Sequence, residues 1–577
     1  MVKKTFTVAD YLLTRLKQLN VTDVFQIPGD YVKHFTQALE NFNGIKTIGA
    51  INELDAAYAA DAYARTKGLA AVSLQYGVST FSALNAIAGA YVEKSPIVVI
   101  SAAPGADMRN QTDRYGMIFH HSTGNLHADQ NVYSNVTVAA ETLSTNVGAP
   151  EKIDHLLIQA ITHKRPVYIA CYKEVWQQPC PRPSTKPLQP LQVKSEPAAL
   201  ENAVDMAWQI IINAKNPLIW AGVEVLRHGL TDLLQQIIDA SGIYYTTTTL
   251  GKTVLDEDPR KFIGTYSDAA SVKSVLDIVE QSDCIISLGT ILTDDYLWFM
   301  ENKYEYMVLA STDQIRAGYF KYQGVTMRDF MEALLKKFKT STKPKYPLKM
   351  TPPKWPVYPE PWQSNSDPKF KNKPELITFN RFFQHTMKFL LDNKMMNDVN
   401  LVFGVSCSLY VAANATGLKQ GGFIGSAAWQ CIGFETGAAL GAQLGSGKRS
   451  WTVAGDGGFM MVCQSLSTLA RNNVNAVIFV MSNGVYAIEQ VYVDVKAFLP
   501  DSGVNFDAFD ILPKWDYAAL AKAFGAESFQ AKTVSDLKSI LPKLKAIKNK
   551  PALVEVVIPY NDLPGQMKRL GEETLPI

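Results

Sequence analysis

The segment Trp451-Thr-Val-Ala-Gly-Asp-Gly-Gly-Phe is followed, after a helical stretch, by Val480-Met-Ser-Asn-Gly-Val-Tyr. Asp456 stands just past one apolar run that reads as a strand, 450–454, and Asn483 just past the next, 476–481. The 27 positions between them are about what one helix and two turns occupy. In a parallel sheet both side chains then emerge at carboxyl ends of strands, the side on which open α/β sheets bind ligands. A carboxylate and an amide oxygen make a hard donor pair suited to Mg2+, which keeps its other positions for water and phosphate oxygens. Gly455, Gly457 and Gly458 let the backbone close on a phosphate, and the helix that follows turns its amino end toward that anion. Asp-Gly and Asn-Gly are also common turn pairs. Either half alone reads as a turn; the two at this spacing read as a metal and diphosphate site.

A second carboxyl stands apart from this motif. Ile51-Asn-Glu-Leu-Asp-Ala-Ala-Tyr places Glu53 where a strand, 46–51, gives way to a helix, 54–65. Alanine and tyrosine surround it, an apolar setting that raises a carboxyl's pKa and lets it share a proton with a ring nitrogen. Taken alone, Glu53 would be an acidic residue at a helix N-terminus, worth a few tenths of a kcal/mol to about 1 kcal/mol.

Gly455-Asp456-Gly457 with Asn483 at this distance resembles the thiamine diphosphate motif. Over nearly its whole length, including Arg165-Pro-Val-Tyr and Leu250-Gly-Lys, the chain resembles the thiamine diphosphate-dependent 2-oxo acid decarboxylases. That family acts on pyruvate, indolepyruvate, phenylpyruvate and branched 2-oxo acids. The resemblance implies that Asp456, Asn483 and the carbonyl of Val485 hold Mg2+, with Gly457 and Gly458 at the diphosphate. Ser482 replaces the first of the usual paired asparagines, leaving the ligand position unchanged. Glu53 is then the group that promotes the imino form of the aminopyrimidine. In Trp429-Gln-Cys-Ile432, Ile432 would prop the folded cofactor and the Gln430 carbonyl would accept from its amino group.

The acid–base groups follow from the same likeness. Ile27-Pro28-Gly29-Asp30-Tyr, Phe119-His120-His121-Ser and Tyr486-Ala-Ile-Glu489 resemble the segments carrying them, with Pro28 and Gly29 against the cofactor. Histidine titrates near neutrality, and a carboxyl beside another or in an apolar pocket rises into the same range. Asp30, His120, His121 and Glu489 are therefore expected to act as one coupled set. Adjacent histidines on an extended segment point opposite ways, so one of the pair should face the cofactor.

The implied reaction is non-oxidative decarboxylation of a 2-oxo acid to an aldehyde and carbon dioxide through a thiamine-bound enamine. Where some yeast pyruvate decarboxylases carry a regulatory cysteine, Ala221-Gly-Val-Glu-Val-Leu-Arg has none. Phe403, Cys407, Asp295 and Tyr492, around the expected substrate pocket, depart from a pyruvate enzyme, so a branched or aromatic substrate is expected ahead of pyruvate. A carboligase of the acetohydroxyacid synthase type is the enzymatic alternative, although such enzymes usually lack the histidine pair. A dinucleotide-binding oxidoreductase rests on Gly433-Phe-Glu-Thr-Gly437, whose glycines are spaced like small residues on a packed helix. In the family the first block of one subunit faces the third block of another across the cofactor. A homodimer or homotetramer with shared active sites is implied.

These groups need a scaffold of several parts. At 577 residues the chain is too long for one ordinary core, and 47% hydrophobic with 19% charged residues suffices for about three. Of 29 prolines, six fall in 179–197 and nine in 344–374, marking two connections between blocks 1–178, 198–340 and 375–577. Each block alternates short apolar strands (among them 70–75, 217–221, 284–288 and 400–403) with amphipathic helices. The expected class is α/β: three doubly wound domains with mostly parallel sheets, which the resemblance makes pyrimidine-binding, middle and diphosphate-binding.

A helix capped near Thr7 should bury Leu12, Leu13, Leu16 and Leu19, while Asp10, Arg15 and Lys17 interrupt the apolar core a signal peptide needs. No apolar run has the length of a membrane span, and a net charge of +2 suggests neither nucleic acid nor a membrane surface as partner. Six scattered cysteines, at 171, 180, 284, 407, 431 and 463, form no Cys-x-x-Cys pair; reduced thiols of a cytoplasmic enzyme are expected.

Overall fold

The computed structural model describes residues 5–258, 260–342, 346, 372–499 and 501–573; most of the connection 344–374 lies outside the described residues. Thr7 caps the helix Val8–Gln18 and Asp10 returns the bond, a capping box that pins the entry of the chain. Leu12, Leu13 and Leu16 are fully buried, while Leu19 is the C-cap and only partly covered.

Three sheets form, as the alternation of strands and helices predicts. The first is entirely parallel and contains β1 Asp23–Gln26, β2 Lys46–Gly49, β3 Ala70–Leu74, β4 Ile97–Ala103, β5 Ala140–Leu143 and β6 Val167–Tyr172, in the order β2-β1-β3-β4-β6-β5. The second holds β7 Pro217–Ala221, β8 Tyr245–Thr247, β9 Phe262–Thr265, β10 Cys284–Leu288, β11 Met307–Ala310, β12 Ile315–Ala317 and β13 Phe320–Tyr322. Its order is β13-β12-β11-β10-β7-β8-β9, antiparallel only at β11-β12 and β12-β13. The third, again entirely parallel, holds β14 Val399–Phe403, β15 Phe423–Gly425, β16 Arg449–Gly455, β17 Val477–Ser482, β18 Glu527–Ala531 and β19 Ala552–Val557.

The third sheet runs β15-β14-β16-β17-β19-β18, the strand order of the first sheet repeated in its own numbering. In both, the chain moves outward from the first strand and then returns to its other side. That reversal opens a crevice beyond the carboxyl ends of β1 and β3 in one sheet and of β14 and β16 in the other. Both expected functional clusters fall at such reversals.

The two matching sheets are joined by a helix pair, Glu53–Lys67 and Phe434–Ser446. Asn52 caps the first, accepting from the Asp55 N–H at 2.8 Å, so it begins at Glu53, one residue before the expected start. The second lies against it through Gly437, Gly441 and Gly445. A Cβ on Gly441 would sit 1.7 Å from the Ala59 carbonyl oxygen, and one on Gly445 2.1 Å from Thr66 Oγ1. These glycines permit close helix packing and form no dinucleotide loop, which removes the basis of the oxidoreductase alternative. Gly441→Ala is expected to destabilise the protein by roughly 1–3 kcal/mol or more, because the contact is rigid backbone; chemical denaturation measures it.

Among the described residues no helix is long and apolar enough to cross a membrane. All six cysteines are free thiols.

Candidate active site

β16 and β17 pair directly in parallel, with Gly455 opposite Met481, so Asp456 and Asn483 leave neighbouring strand ends. Asp456 opens the short helix Asp456–Met461; Asn483 precedes Gly484, whose φ of +76° suits glycine. The Asp456 carboxylate accepts from the Gly457 N–H at 3.0 Å and from the Gly484 N–H at 2.7 Å. One buried side chain thereby ties the two loops together. Burial pushes its pKa up to about 6, opposed by the N–H groups of Gly484 and Gly457.

The cavity beside Asp456 and Asn483 is also lined by Val485, Ile432 and the turn after β14, Ser406 to Ser408. It occupies the crevice opened by the reversal between β14 and β16. Gly457 and Gly458 have no room for side chains: a Cβ would lie 2.0 Å from the Tyr486 ring and 2.5 Å from Glu435 Oε1, respectively. The hydroxyls of Ser406 and Ser408 are buried with no hydrogen-bond partner among the described residues. Unsatisfied donors in a cavity are costly unless a ligand completes them. Among the described residues no cluster of three or more His, Cys, Asp and Glu side chains converges. The donor set is one carboxylate, one amide and backbone oxygens, which fits a hard cation shared with ligand oxygens better than a cation caged by protein alone. The residues present fit a metal-bridged diphosphate.

The second cluster lies at the matching reversal of the first sheet. Asp30 follows β1 and Gln75 follows β3; Gln75 Nε2 donates to Asp30 Oδ1 at 2.7 Å, and its Oε1 accepts from the Tyr31 N–H at 3.3 Å. Gly29 allows this approach, since a Cβ there would fall 2.3 Å from Gln75 Oε1; Pro28 precedes it, exposed. Tyr31 and Tyr76 meet edge to face at 4.9 Å. His121, at φ +70°, stands edge-on to both, and the Tyr76 hydroxyl donates to the His120 carbonyl. Asp30, His120 and His121 are thus gathered around one tyrosine pair.

Glu53 is half-buried and its Oε1 accepts from the Ser79 hydroxyl at 2.7 Å. To the alanine and tyrosine expected around it, the helix Val78–Val92, which begins across from it, adds this hydroxyl donor. Glu489 is exposed on the helix Ala487–Asp494, on the Asp456 side; burial, then the charge of Glu489, raises the Asp510 pKa. Among the described residues no hydrogen bond or ion pair within the chain joins the Asp30–Glu53–histidine group to the Asp456 cavity. Exposed apolar residues stand near both in sequence, Ile51 and Val78 by the first, Trp429 and Met461 by the second, with the Trp429 indole also donating to Asn85 of the helix Val78–Val92.

The expected substrate-pocket residues divide. Phe403 is fully buried and stacked on Phe423 at 4.9 Å, a core residue because β14 points it inward. Cys407 lines the Asp456 cavity. Tyr492 interacts with Tyr410, and Asp295 accepts from Gln430 Nε2, the Gln430 backbone being at φ +54°. Burial, then the charge of Asp294, pushes the Asp295 pKa up to about 6. The folded state then binds more protons than the unfolded between the ordinary carboxylate range and about 6. Stability contributed by this group is present at low pH and is lost as pH rises through that window, by about 3 kcal/mol at most. Asp295→Asn is expected to flatten this part of the pH–stability curve and to raise the melting temperature at pH 7.

Spacing gave no sign of Gln75, Ser79, Ser406, Ser408 or Glu435. Glu435 is fully enclosed behind Gly404 and Gly458, with Oε2 unpartnered and its pKa pushed up to about 7 by burial. A glutamate among small residues at a helix start was its one available signal.

Three family models match the chain: the thiamine pyrophosphate enzyme N-terminal TPP binding domain over residues 6–131, the central domain over 204–319 and the C-terminal TPP binding domain over 404–556. The chain belongs to the thiamine pyrophosphate enzymes. Among its relatives, an alpha-keto-acid decarboxylase of Mycobacterium leprae is 29% identical over 99% of this chain and 96% of the relative. Pyruvate decarboxylase isozyme 3 of Saccharomyces cerevisiae is 27% identical over 98% of each, and a pyruvate decarboxylase of Aspergillus fumigatus 28% identical over 99% and 97%. Within the class, the chain is a member of the thiamine pyrophosphate-dependent 2-oxo acid decarboxylase family.

Proposed function

We propose that this protein releases an aldehyde and carbon dioxide from a branched or aromatic 2-oxo acid, using thiamine diphosphate and Mg2+ held between two subunits of a cytoplasmic homodimer or homotetramer. The observation that carries the cofactor assignment is the Asp456–Asn483 cavity with its two unsatisfied serine hydroxyls. Blocks 1–178, 198–340 and 375–577 act as pyrimidine-binding, middle and diphosphate-binding domains.

Asp456, Asn483 and the Val485 carbonyl hold the metal, while Gly457, Gly458 and the Ser406 and Ser408 hydroxyls receive the diphosphate. Ile432 supports the cofactor's fold, the Gln430 carbonyl accepts from its amino group, and Pro28 and Gly29 lie against it. When bound, thiamine diphosphate supplies the nucleophilic carbon that adds to the keto group and the electron sink that makes carbon dioxide a leaving group. The chain itself supplies proton traffic and confinement. Glu53, steadied by Ser79, keeps its carboxyl against a ring nitrogen of the cofactor. Asp30, His120, His121 and Glu489 deliver one proton and remove another as a coupled set. Tyr31, Tyr76 and Gln75 keep the first three in register.

Departures around the substrate, notably Cys407 beside the cavity and Asp295 bound to Gln430, support a side chain other than the methyl of pyruvate. Aldehyde release across pyruvate, branched, phenyl- and indole-substituted oxo acids, with and without thiamine diphosphate and Mg2+, tests this. The largest kcat/KM is expected on a branched or aromatic acid. Preference for pyruvate would refute the substrate assignment alone. Accumulation of acetolactate in a yellow, flavin-containing protein would indicate the carboligase instead.

A further inference from the structure

Away from the catalytic cavity, residues from all three blocks of the chain line a second cavity of about 370 Å3. Its walls carry four cations, Arg65, Arg227, Lys252 and Lys448, and no aspartate or glutamate. Two of the four are neutralised locally. Arg65 is paired with Asp61 at 2.7 Å and with Glu93 at 2.6 Å, and Lys252 with Glu257 at 2.6 Å. The other two are not. Among the described residues neither Arg227 nor Lys448 has an ion-pair partner, and Arg227 Nε is buried without any hydrogen bond. The carboxylates whose fields reach Arg227, Asp61 and Glu93, are both engaged by Arg65. Asp256, whose carboxyl feels the charge of Lys448, is held by Lys419 at 2.9 Å and by the Gln420 N–H at 2.8 Å. Burial, then the charge of Arg65, holds the Arg227 guanidinium down at about 9.

The position is one at which α/β sheets take ligands. Val223 to Arg227 follow β7 and Leu250 to Lys252 follow β8, so the cavity lies beyond the carboxyl ends of two parallel strands of the middle sheet. The reversal between β7 and β10 is itself closed, because Gly222 and Gly289 meet backbone to backbone. Leu226, Val254, Phe423 and Ile424 give the lining an apolar part, with the Lys252 ammonium over the Phe423 ring at 5.8 Å, and exposed Gln420 also lines it. A volume of this size accommodates a small organic molecule.

We propose that this three-domain cavity binds a phosphate-bearing small molecule, its phosphate between Arg227 and Lys448 and its carbon skeleton against Leu226 and Phe423. A guanidinium and an ammonium that no carboxylate among the described residues engages are matched by a group carrying two negative charges. Arg65 and Ser446 on its walls belong to the carboxyl-terminal turns of the helices Glu53–Lys67 and Phe434–Ser446. Glu53 opens one of these helices and Ile432 lies just before the other, about 20 Å away along the helix axes. Occupancy therefore clamps the far ends of the two elements that position the catalytic groups, which makes the ligand an effector of the reaction.

The test uses holoenzyme saturated with thiamine diphosphate and Mg2+, so that the diphosphate site is already filled. Inorganic phosphate, glycerol 3-phosphate and adenosine monophosphate are titrated by calorimetry and thermal shift. The expected result is saturable binding of at least one organic phosphate, tighter than inorganic phosphate, with a rise in melting temperature and a change in KM or kcat. Arg227→Met and Lys448→Gln should each weaken that binding at least ten-fold. Arg227→Met should also melt no lower than wild type without ligand, since a buried cation without a bonded carboxylate is replaced by an apolar chain. Lys448→Gln keeps the test open if the first variant folds poorly. Absence of binding by all three probes, or equal binding by wild type and Lys448→Gln, would overturn the proposal. So would a lower melting temperature of Arg227→Met with no ligand effect, which would mark Arg227 as a cap on the Arg65 carbonyl it reaches at 3.4 Å.

Discussion

Asp456→Ala protein is expected to fold, to bind thiamine diphosphate and Mg2+ more than about 100-fold more weakly than wild type, and to release no measurable aldehyde. Two losses coincide. Among the described residues the carboxylate is the one charged side chain lining the cavity beside β14, β16 and β17, and it also accepts from the N–H groups of Gly457 and Gly484. Asp456→Asn separates them. It keeps one carbonyl oxygen for a backbone N–H and so retains part of the loop geometry, but it removes the charge that a magnesium ion needs. The asparagine variant should therefore melt close to wild type while remaining defective in metal-dependent turnover. Calorimetric titration of the cofactor pair measures the first quantity, and an aldehyde-coupled assay the second. Full activity of Asp456→Asn at ordinary magnesium concentrations would contradict the metal assignment.

The Asp456–Asn483 pair is legible in the sequence itself. Strand positions were legible because apolar runs in a parallel sheet are buried on both faces: β7 and β10 fall on the expected residues, and β16 extends one residue beyond its expected run at each end. Strand ends were legible because glycine and asparagine punctuate them, which is why Asp456 and Asn483 could be placed at neighbouring carboxyl ends. The duplicated strand order of the first and third sheets was not legible. Topology is carried by long-range pairing, and no local periodicity records it.

Partners were harder to see than positions. Ser79 reaches Glu53 from 26 residues away, and Gln75 reaches Asp30 from 45, through contacts set only when the sheet assembles. Glu435 illustrates the same limit from the other side. A glutamate near a glycine run reads as a solvated charge, yet packing of the helix Phe434–Ser446 seals it behind Gly458. Phe403 was misplaced for a related reason: adjacency to a strand end does not say which face of the sheet a side chain takes.

Mixing Glu53→Gln subunits with Asp456→Ala subunits, each inactive alone, is expected to restore about a quarter of wild-type activity at equal amounts and random exchange. The number follows from symmetry. In a two-fold dimer whose sites each take Glu53 from one chain and Asp456 from the other, a mixed dimer has one site with both defects and one with neither. Half of the dimers are mixed, and half of their sites are intact. Among the described residues the two clusters hold different partners: Glu53 accepts from Ser79, Asp30 accepts from Gln75 and the Tyr76 hydroxyl donates to the His120 carbonyl, whereas Asp456 accepts from the N–H groups of Gly457 and Gly484. Exposed Ile51, Val78, Trp429 and Met461 stand near these groups in sequence and would be covered when two such surfaces meet. A site completed within one chain would leave every mixed dimer with one defect per site, and no activity would return.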